Sequence, residues 1–397
     1  MSAPMLFSPL DTEASTPSVV ASYGLGVDST AIVLRWLEEP ESRDFPLDEL
    51  VLCTSMTGNE FFATGQAVTD HVLPRLAAAG VRFIQVGRSQ RKTTIAGDGV
   101  VVLDDSTRPE HLHLAGSYTL GDEMHAAGTL PQLGGLRACS LHAKASCLEP
   151  VIARITRAQP YRHVIGYELG EQGRALKDQR YNTSQRTGWY PLIDWRWTRQ
   201  TCQEYLTALT GQTWEKSACG FCCFSFATES GRRTQIERYR REPAVGAYAM
   251  FLEFIARSLN SAQTLIAGSS LADLVADSDL PHVQDAYEQL LAHHDFALYE
   301  VRRLTRSARN GGRNFIARSI RCLSTGTRAQ MHRALTEQPG RLTTDPDGIP
   351  RHLLRTRPAD GVDHFYVSAP AGVEDKQRPG FEQWWNEATG AALFPAL

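Results

Sequence analysis

Ser18-Val-Val-Ala-Ser-Tyr-Gly-Leu-Gly-Val-Asp-Ser-Thr-Ala-Ile-Val33 reads as a buried strand, a glycine-bearing turn and the start of a helix. Val19, Val20 and Ala21 are apolar and largely β-branched, as a core strand requires. Gly24 and Gly26 permit backbone geometry closed to other residues. Val27 and Asp28-Ser29-Thr30 open a helix that continues through Ala31, Ile32, Val33 and Leu34. A turn of this kind presents free N–H groups at the positive end of a helix, where a polyphosphate binds. Two commoner loops are excluded. A Walker loop needs Lys before Ser29, where Asp28 stands, and a dinucleotide fingerprint needs Gly three residues after Gly26, where Ser29 stands. A glycine turn in an ordinary α/β protein is the plainer reading of the same residues.

Outward from this stretch, strand and helix alternate. Leu50-Val-Leu-Cys53 gives a second strand, residues 64–79 an amphipathic helix, and Val81-Arg-Phe-Ile-Gln-Val86 a third strand. The alternation predicts an α/β fold with a parallel, doubly wound sheet covered on both faces. Ligands of such sheets bind beyond the carboxyl ends of the strands, where the glycine turn and residues 54–60 lie. Residues 87–135 are polar and Gly-rich, with one short strand at Val100-Val-Val-Leu103, and read as an insertion or lid. His111, His113 and His125 within it read as solvated loop histidines. Regularity returns with a helix over 140–157, a strand at His163-Val-Ile-Gly166, a strand over 189–194 and a helix capped by Thr198.

The length of 397 residues calls for more than one domain. The expected division is an N-terminal arm over 1–17, a nucleotide-binding domain over 18–228 and a mainly helical domain over 229–397, with helices at 244–259 and 282–306. Hydrophobic residues make up 42% of the chain and charged residues 21%, the balance of a globular protein with a core. No apolar run approaches the roughly 18 residues of a membrane span, and residues 1–17 lack the pattern of a secretory signal, so no membrane association and a cytoplasmic location are expected. Eight cysteines are too few for a disulfide scaffold in a chain this long; Cys219, Cys222 and Cys223 form one tight group suited to metal or redox chemistry.

Ser22-Tyr23-Gly24-Leu-Gly26-Val27-Asp28-Ser29 resembles, with one extra residue in the turn, the Ser-Gly-Gly-x-Asp-Ser loop of the PP-loop ATP pyrophosphatases. Three further marks follow in order. Thr57-Gly58-Asn-Glu-Phe61 is similar to the Thr-Gly-x-x-Phe segment after the second strand, with Met56 in place of the usual Asp. Gly166 with Glu171 and Arg174 resembles a Gly-x-Arg-x-x-Glu-Ser-x-x-Arg segment, with Glu168 where the first Arg is common and Arg174 one residue early. Tyr190-Pro-Leu-Ile-Asp194-Trp195 is close to Pro-Leu-x-Asp-Trp. Together they resemble the phosphoadenosine-phosphosulfate (PAPS) reductase branch of the adenine-nucleotide α-hydrolase superfamily, over roughly residues 18–226. The resemblance implies a Rossmann-like sheet and cleavage of ATP to AMP and pyrophosphate. ATP and Mg2+ would be held by Ser22, Tyr23, Gly24, Gly26, Val27, Asp28, Ser29, Thr57, Gly58, Gly166, Glu171 and Arg174. Asp28, Ser29 and Arg174 would take the catalytic roles, with Arg137, Lys144 and Lys177 as further cations for phosphate charge. A helix-terminal carboxylate and surface salt bridges account for Asp28 and the cations equally simply.

Cys139, and Cys219-x-x-Cys222 about eighty residues on, resemble the two cysteine pairs of cluster-containing adenylylsulfate reductases, with Ala138 in place of one ligand. The resemblance implies a 4Fe-4S cluster on Cys139, Cys219 and Cys222. The fourth ligand would be Cys223, Cys147 or no protein group. Zinc and a persulfide-carrying thiol pair are the alternatives. Cys53 and Cys202 read as buried hydrophobes and Cys322 as a helix residue.

Family reductases end in Glu-Cys-Gly-x-His, whereas the last cysteine here is Cys322. Reduction of PAPS or a related sulfonucleotide therefore ranks behind ATP-dependent adenylation coupled to sulfur transfer onto a nucleic acid or nucleotide, with a sulfur-donor protein as partner. A non-catalytic nucleotide-binding or redox-sensing module is the third reading. Residues 301–358 hold thirteen Arg, no Lys and three acids, a concentration that suits a nucleic-acid or other polyanionic partner or, more simply, a solvated charged face.

Overall fold

The loop from Tyr23 to Gly26 joins β1 (Val19–Ser22) to helix α1 (Val27–Glu38), as the residue pattern requires. The computed structural model of the chain describes residues 15–94, 96–133, 138–306, 315–344 and 348–390, so most of the expected arm, Arg137, Arg309 and Arg313 lie outside the described residues. These residues group into two units, one within Met1–Glu123 and Gly134–Cys222, the other within Met124–Leu133 and Cys223–Leu397.

In the first unit β1 lies inside a six-stranded sheet with β2 (Leu50–Ser55), β3 (Arg82–Arg88), β4 (Val100–Ser106), β5 (Tyr161–Ile165) and β6 (Arg186–Trp189), in the order β4-β3-β2-β1-β5-β6. The five strands from β3 to β6 pair in parallel, and β4 adds to β3 antiparallel. Successive side chains of a strand face opposite ways. Val19, Ala21, Leu50, Leu52 and Phe83 accordingly pack with α1 and the helices Leu73–Ala79 and Arg199–Thr210. Val20, Val51, Cys53, Ile84 and Val86 pack with Cys147, Val151, Ile152 and Ile155 of the helix Ser146–Thr156. Trp36 of α1 is fully buried, stacked on Trp189 with ring centroids 5.4 Å apart.

The unit is α/β, with three departures from the expected outline. The sheet is mixed rather than wholly parallel, because residues 100–106 of the expected insertion fold back along β3 through pairs such as Gln85 with Asp104. Residues 189–194 are not one strand: β6 ends at Trp189 and Pro191–Asp194 is a helical turn, since Pro191 starts a helix readily but cannot donate to a ladder. The helix expected over 64–79 is two, Phe62–His71 and Leu73–Ala79, broken at Val72 ahead of Pro74.

In the second unit four helices, Glu229–Arg241, Pro243–Leu259, Leu271–Asp277 and Pro281–Ala292, precede a six-stranded antiparallel sheet. Its strands are β7 (Phe296–Arg306), β8 (Phe315–Gly326), β9 (Arg341–Thr344), β10 (Pro350–Arg355), β11 (Val362–Pro370) and β12 (Lys376–Gln377), in the order β12-β8-β7-β11-β10-β9. The expectation of a mainly helical domain is therefore corrected. The helix expected over 282–306 ends at Ala292, and Phe296 to Arg306 pair with β8 on one side and β11 on the other. A short apolar run such as Phe296-Ala-Leu-Tyr suits either element, and the partners decided it. Cys322, expected in a helix, lies exposed on β8. The helix Phe381–Thr389 packs Phe381 and Trp385 against Leu304, Ala317 and Val362. Among the described residues no helix is long and apolar enough to cross a membrane.

Candidate functional site

The turn after β1 is held by contacts the glycines allow. Tyr23 N–H donates to the Cys53 carbonyl at 2.8 Å, and the amide of Gly24 donates to Ser29 Oγ at 3.2 Å. The left-handed residue of the turn is neither glycine but Leu25, with φ 61°, a conformation that costs a non-glycine residue roughly 1–2 kcal/mol. Gly26 serves close approach: a Cβ there would stand 3.2 Å from the Ser217 backbone nitrogen. Gly166, at the end of β5, does the same against α1, where a Cβ would stand 3.1 Å from the nitrogen of Ser29. Trp214 Nε1 donates to the Leu25 carbonyl at 3.1 Å. The turn thus carries on its flank the segment that leads to Cys219.

A cavity of about 730 Å³ opens at the carboxyl ends of β1 and β2 and runs across β5, bounded by the helix Ser146–Thr156. Ser22 to Leu25, Thr54, Glu60 and Lys144 line it, Leu148 and Ile152 give an apolar wall, and Asp178, Thr183, Gln185 and Arg186 line it further along. Its size falls in the range of small-ligand sites. Within it, Arg186 Nε donates to His163 Nδ1 at 2.9 Å, and His163 Nε2 lies 2.8 Å from Ser22 Oγ. Burial, reinforced by the Arg186 charge, pushes His163 down to about 4, so the ring is neutral near pH 7. An arginine N–H can only donate, so Nδ1 accepts and the ring proton sits on Nε2. His163 therefore donates to Ser22 Oγ, and the Ser22 hydroxyl keeps its own hydrogen for a further acceptor. Asp178 fixes the far end of the relay, accepting from Arg186 Nη2 at 2.7 Å and Tyr190 Oη at 2.8 Å.

The cysteine turn docks on the segment after β2. Glu60 and Cys219 form an antiparallel bridge, and the Gly220 amide donates to the Asn59 carbonyl at 2.9 Å. The Cys219 thiol is held well above its usual range by its hydrogen bond with Cys222 and by burial, with Lys144 opposing. Burial raises Cys139 too, and Cys222 lies near enough to add to it. Cys222 thus bears on both Cys219 and Cys139, and Glu60 and Lys144, two residues of the cavity wall, bear on Cys219. Cys147 is not among them: it is fully buried in the core and donates to the His142 carbonyl at 3.4 Å. Cys223 begins the buried turn Cys223–Phe226 of the second unit. Among the described residues no group of three or more His, Cys, Asp or Glu is arranged to hold a metal. The donor chemistry of thiolates suits a soft metal, which would bind with loss of the thiol protons.

The expected phosphate-binding residues divide into two sets. Ser22, Tyr23 and Gly24 line the cavity. Thr57 is one step removed, donating through Oγ1 to Glu60 at 2.8 Å, and Gly58 turns the segment at φ 82°. Asp28, Glu171 and Arg174 form a separate charged cluster. Asp28 is clamped by Arg199, with Nη2 at 2.6 Å and Nε at 3.2 Å from Oδ2; burial raises its carboxyl against that pairing. Arg174 pairs with Glu171 and lies over the Tyr167 ring, 4.5 Å from its centroid. Ser29 braces the turn, and Lys177 is exposed. The sequence reading passed over His163, Arg186, Asp178 and Arg199. A histidine two residues from the end of β5, ahead of Val164 and Ile165, was the one available signal.

The arginines of 301–358 are largely engaged within the chain. Arg302 pairs with Glu382, Arg306 with Glu387, Arg357 with Asp363, and Arg321 and Arg328 with Glu300 and Glu288. Arg351 donates to the backbone carbonyls of Arg257 and Ser258. The acids come from outside the counted window, so the local excess of positive charge is mostly answered.

Comparison with family models, with curated proteins and with solved structures finds no match to this chain.

Proposed function

We propose that the chain is a PP-loop ATP pyrophosphatase of Rossmann-like fold that adenylates a substrate and couples the adenylate to sulfur transfer. The observation that carries this reading is the fastening of the Cys219-x-x-Cys222 segment to the β1–α1 turn, through Trp214 on Leu25 and Ser217 against Gly26. The Cys219 thiol then stands within reach of Glu60 and Lys144, on the wall of a nucleotide-sized cavity that the phosphate-type turn also lines. In this reading the Ser22 hydroxyl donates to a phosphate oxygen, Lys144 and the α1 N-terminus offset phosphate charge, and the wall of Leu148 and Ile152 takes the purine. An acceptor oxygen attacks the α-phosphorus, the bond to the bridging oxygen breaks, and pyrophosphate leaves. Mg2+ would travel on the phosphates, with Glu60 the carboxylate lining that end. A 4Fe-4S cluster held by Cys139, Cys219 and Cys222, or zinc in its place, would supply a site for sulfur beside the adenylate.

The test is ATP titration followed by product analysis with tRNA, DNA and nucleotides as acceptors. AMP and pyrophosphate in equal amounts are expected. Ser22→Ala should lower kcat/KM by ~10²-fold, the loss typical of one donor to transition-state charge. Cys219→Ser should spare pyrophosphate release, leave the acceptor adenylated and abolish thiolated product. ADP as product, or no binding of ATP, overturns the reading. ATP bound but never split with any acceptor favours the non-catalytic module. Anaerobic iron, sulfide and zinc analysis decides the metal separately.

A further inference from the structure

One group of arginines in the second unit is not answered. The register of β7 and β8 sets Arg303 directly opposite Arg318, and that of β7 and β11 sets Arg303 opposite Asp363. Directly opposed residues of an antiparallel pair project from the same face, with Cβ atoms about 5 Å apart, and like charges so placed repel. Arg303 is 9% exposed and donates to Asn260 Oδ1 at 2.7 Å, with Asp363 at 3.9 Å. Asp363 is already occupied, accepting from the Arg357 backbone N–H at 2.9 Å and Arg357 Nε at 2.7 Å. Arg318 is half-buried and makes no ion pair or hydrogen bond with a described residue. The charges acting on it include another arginine, Arg378, which follows Gln377 of β12 and lies over the Phe315 ring at 5.1 Å. Burial and these like charges press Arg303 and Arg318 both toward the neutral form. Asp363 thus serves Arg303 and Arg357, while Arg318 stands between Arg303 and Arg378 with no carboxylate of its own among the described residues.

A half-buried guanidinium without a counter-charge loses solvation and gains nothing in return, and no protein acid among the described residues repairs it. A multiply charged oxyanion would. Arg presents a planar fork of donors matched to phosphate, and two such forks can close on one tetrahedral group. We propose that Arg318 and Arg378, backed by Arg303, form a phosphate-binding site on the β12-β8-β7 part of the second sheet, separate from the cavity at the β1–α1 turn. The phosphate is either a free anion or one group of a nucleic-acid backbone.

The experiment uses the full chain and three variants, Arg318→Gln, Arg378→Gln and the exposed Arg333→Gln. Inorganic phosphate is titrated at constant ionic strength by calorimetry and thermal unfolding, and a short single-stranded DNA by fluorescence anisotropy. A ligand that binds only the folded state raises Tm with its concentration. We expect wild type and Arg333→Gln to bind alike, and Arg318→Gln and Arg378→Gln to bind about tenfold or more weakly, the scale of one lost charge-assisted contact. Without phosphate, Arg318→Gln should melt no lower than wild type, because it removes a repulsion; this separates lost binding from lost folding. Arg318-dependent binding of inorganic phosphate assigns the site to a free anion, and Arg318-dependent binding of DNA alone assigns it to a nucleic-acid backbone. Binding of neither, or equal losses in Arg333→Gln, overturns the proposal. The outcome is independent of ATP cleavage, since none of the three variants alters a residue that lines the cavity at the β1–α1 turn.

Discussion

The two sheets each have six strands, yet they answer their arginines differently. In the first, every strand arginine deep in the unit meets an acid at close range: Arg82 with Asp105 at 2.7 Å, Arg186 with Asp178 at 2.7 Å, and Arg88, 1% exposed, with Glu123. In the second, Arg302 meets a Glu382 side chain that is 50% exposed, Arg321 stands 3.6 Å from Glu300, and Arg318 meets none. Breaking a buried pair strands a charge where water cannot reach it, whereas an exposed partner is replaced by solvent. The first sheet spends its charges on holding itself together; the second keeps some available for a ligand.

The sharpest way to break this contrast is Glu123→Gln, which leaves Arg88 buried beside a neutral amide. Urea unfolding should show a loss of about 3–5 kcal/mol. A loss below about 1 kcal/mol would erase the difference between the sheets. Gly166→Ala comes next. Its Cβ would press on the backbone of Ser29, 3.1 Å away, and should cost about 1–3 kcal/mol by overpacking while weakening ATP binding in the same titration.

Gradual in onset is the effect of pH through His163. Its folded value of about 4 lies below its ordinary value of 6.5, so the unfolded chain binds the proton first as pH falls. Its contribution to stability is complete above pH 6.5 and is lost progressively as pH falls to about 4. His163→Gln should flatten that part of the stability profile, and an unchanged slope would remove the neutral-ring argument for Ser22. The smallest effect belongs to the second sheet: Glu382→Gln, with half its side chain in water, should cost no more than ~1 kcal/mol.

Legibility in the sequence followed the same division. The β1–α1 turn could be read because a parallel strand covered on both faces is a continuous apolar run, and a glycine turn must follow it. Tyr23, Gly24 and Ser22 of that turn line the cavity. Asp28 of the same loop and Arg174 of the later Gly166 segment face Arg199 and Glu171, because a one-dimensional spacing does not say toward which neighbour a charged side chain turns. His163 and Arg186 were not legible: 23 residues apart, they meet only because β5 and β6 lie side by side.

The sequence by itself determined the alternation of strands and helices in the first unit, the turn after β1 and the exclusion of the commoner phosphate loops. Each rests on local periodicity and on residues whose backbone preferences act at short range. Only the tertiary structure decided that β7 is a strand and not a helix, that Cys219 meets Cys222 while Cys147 stays in the core, and which arginines find acids. Those outcomes depend mostly on partners tens of residues away, and pairing energy between distant segments outweighs the small local preferences that a sequence reading can weigh.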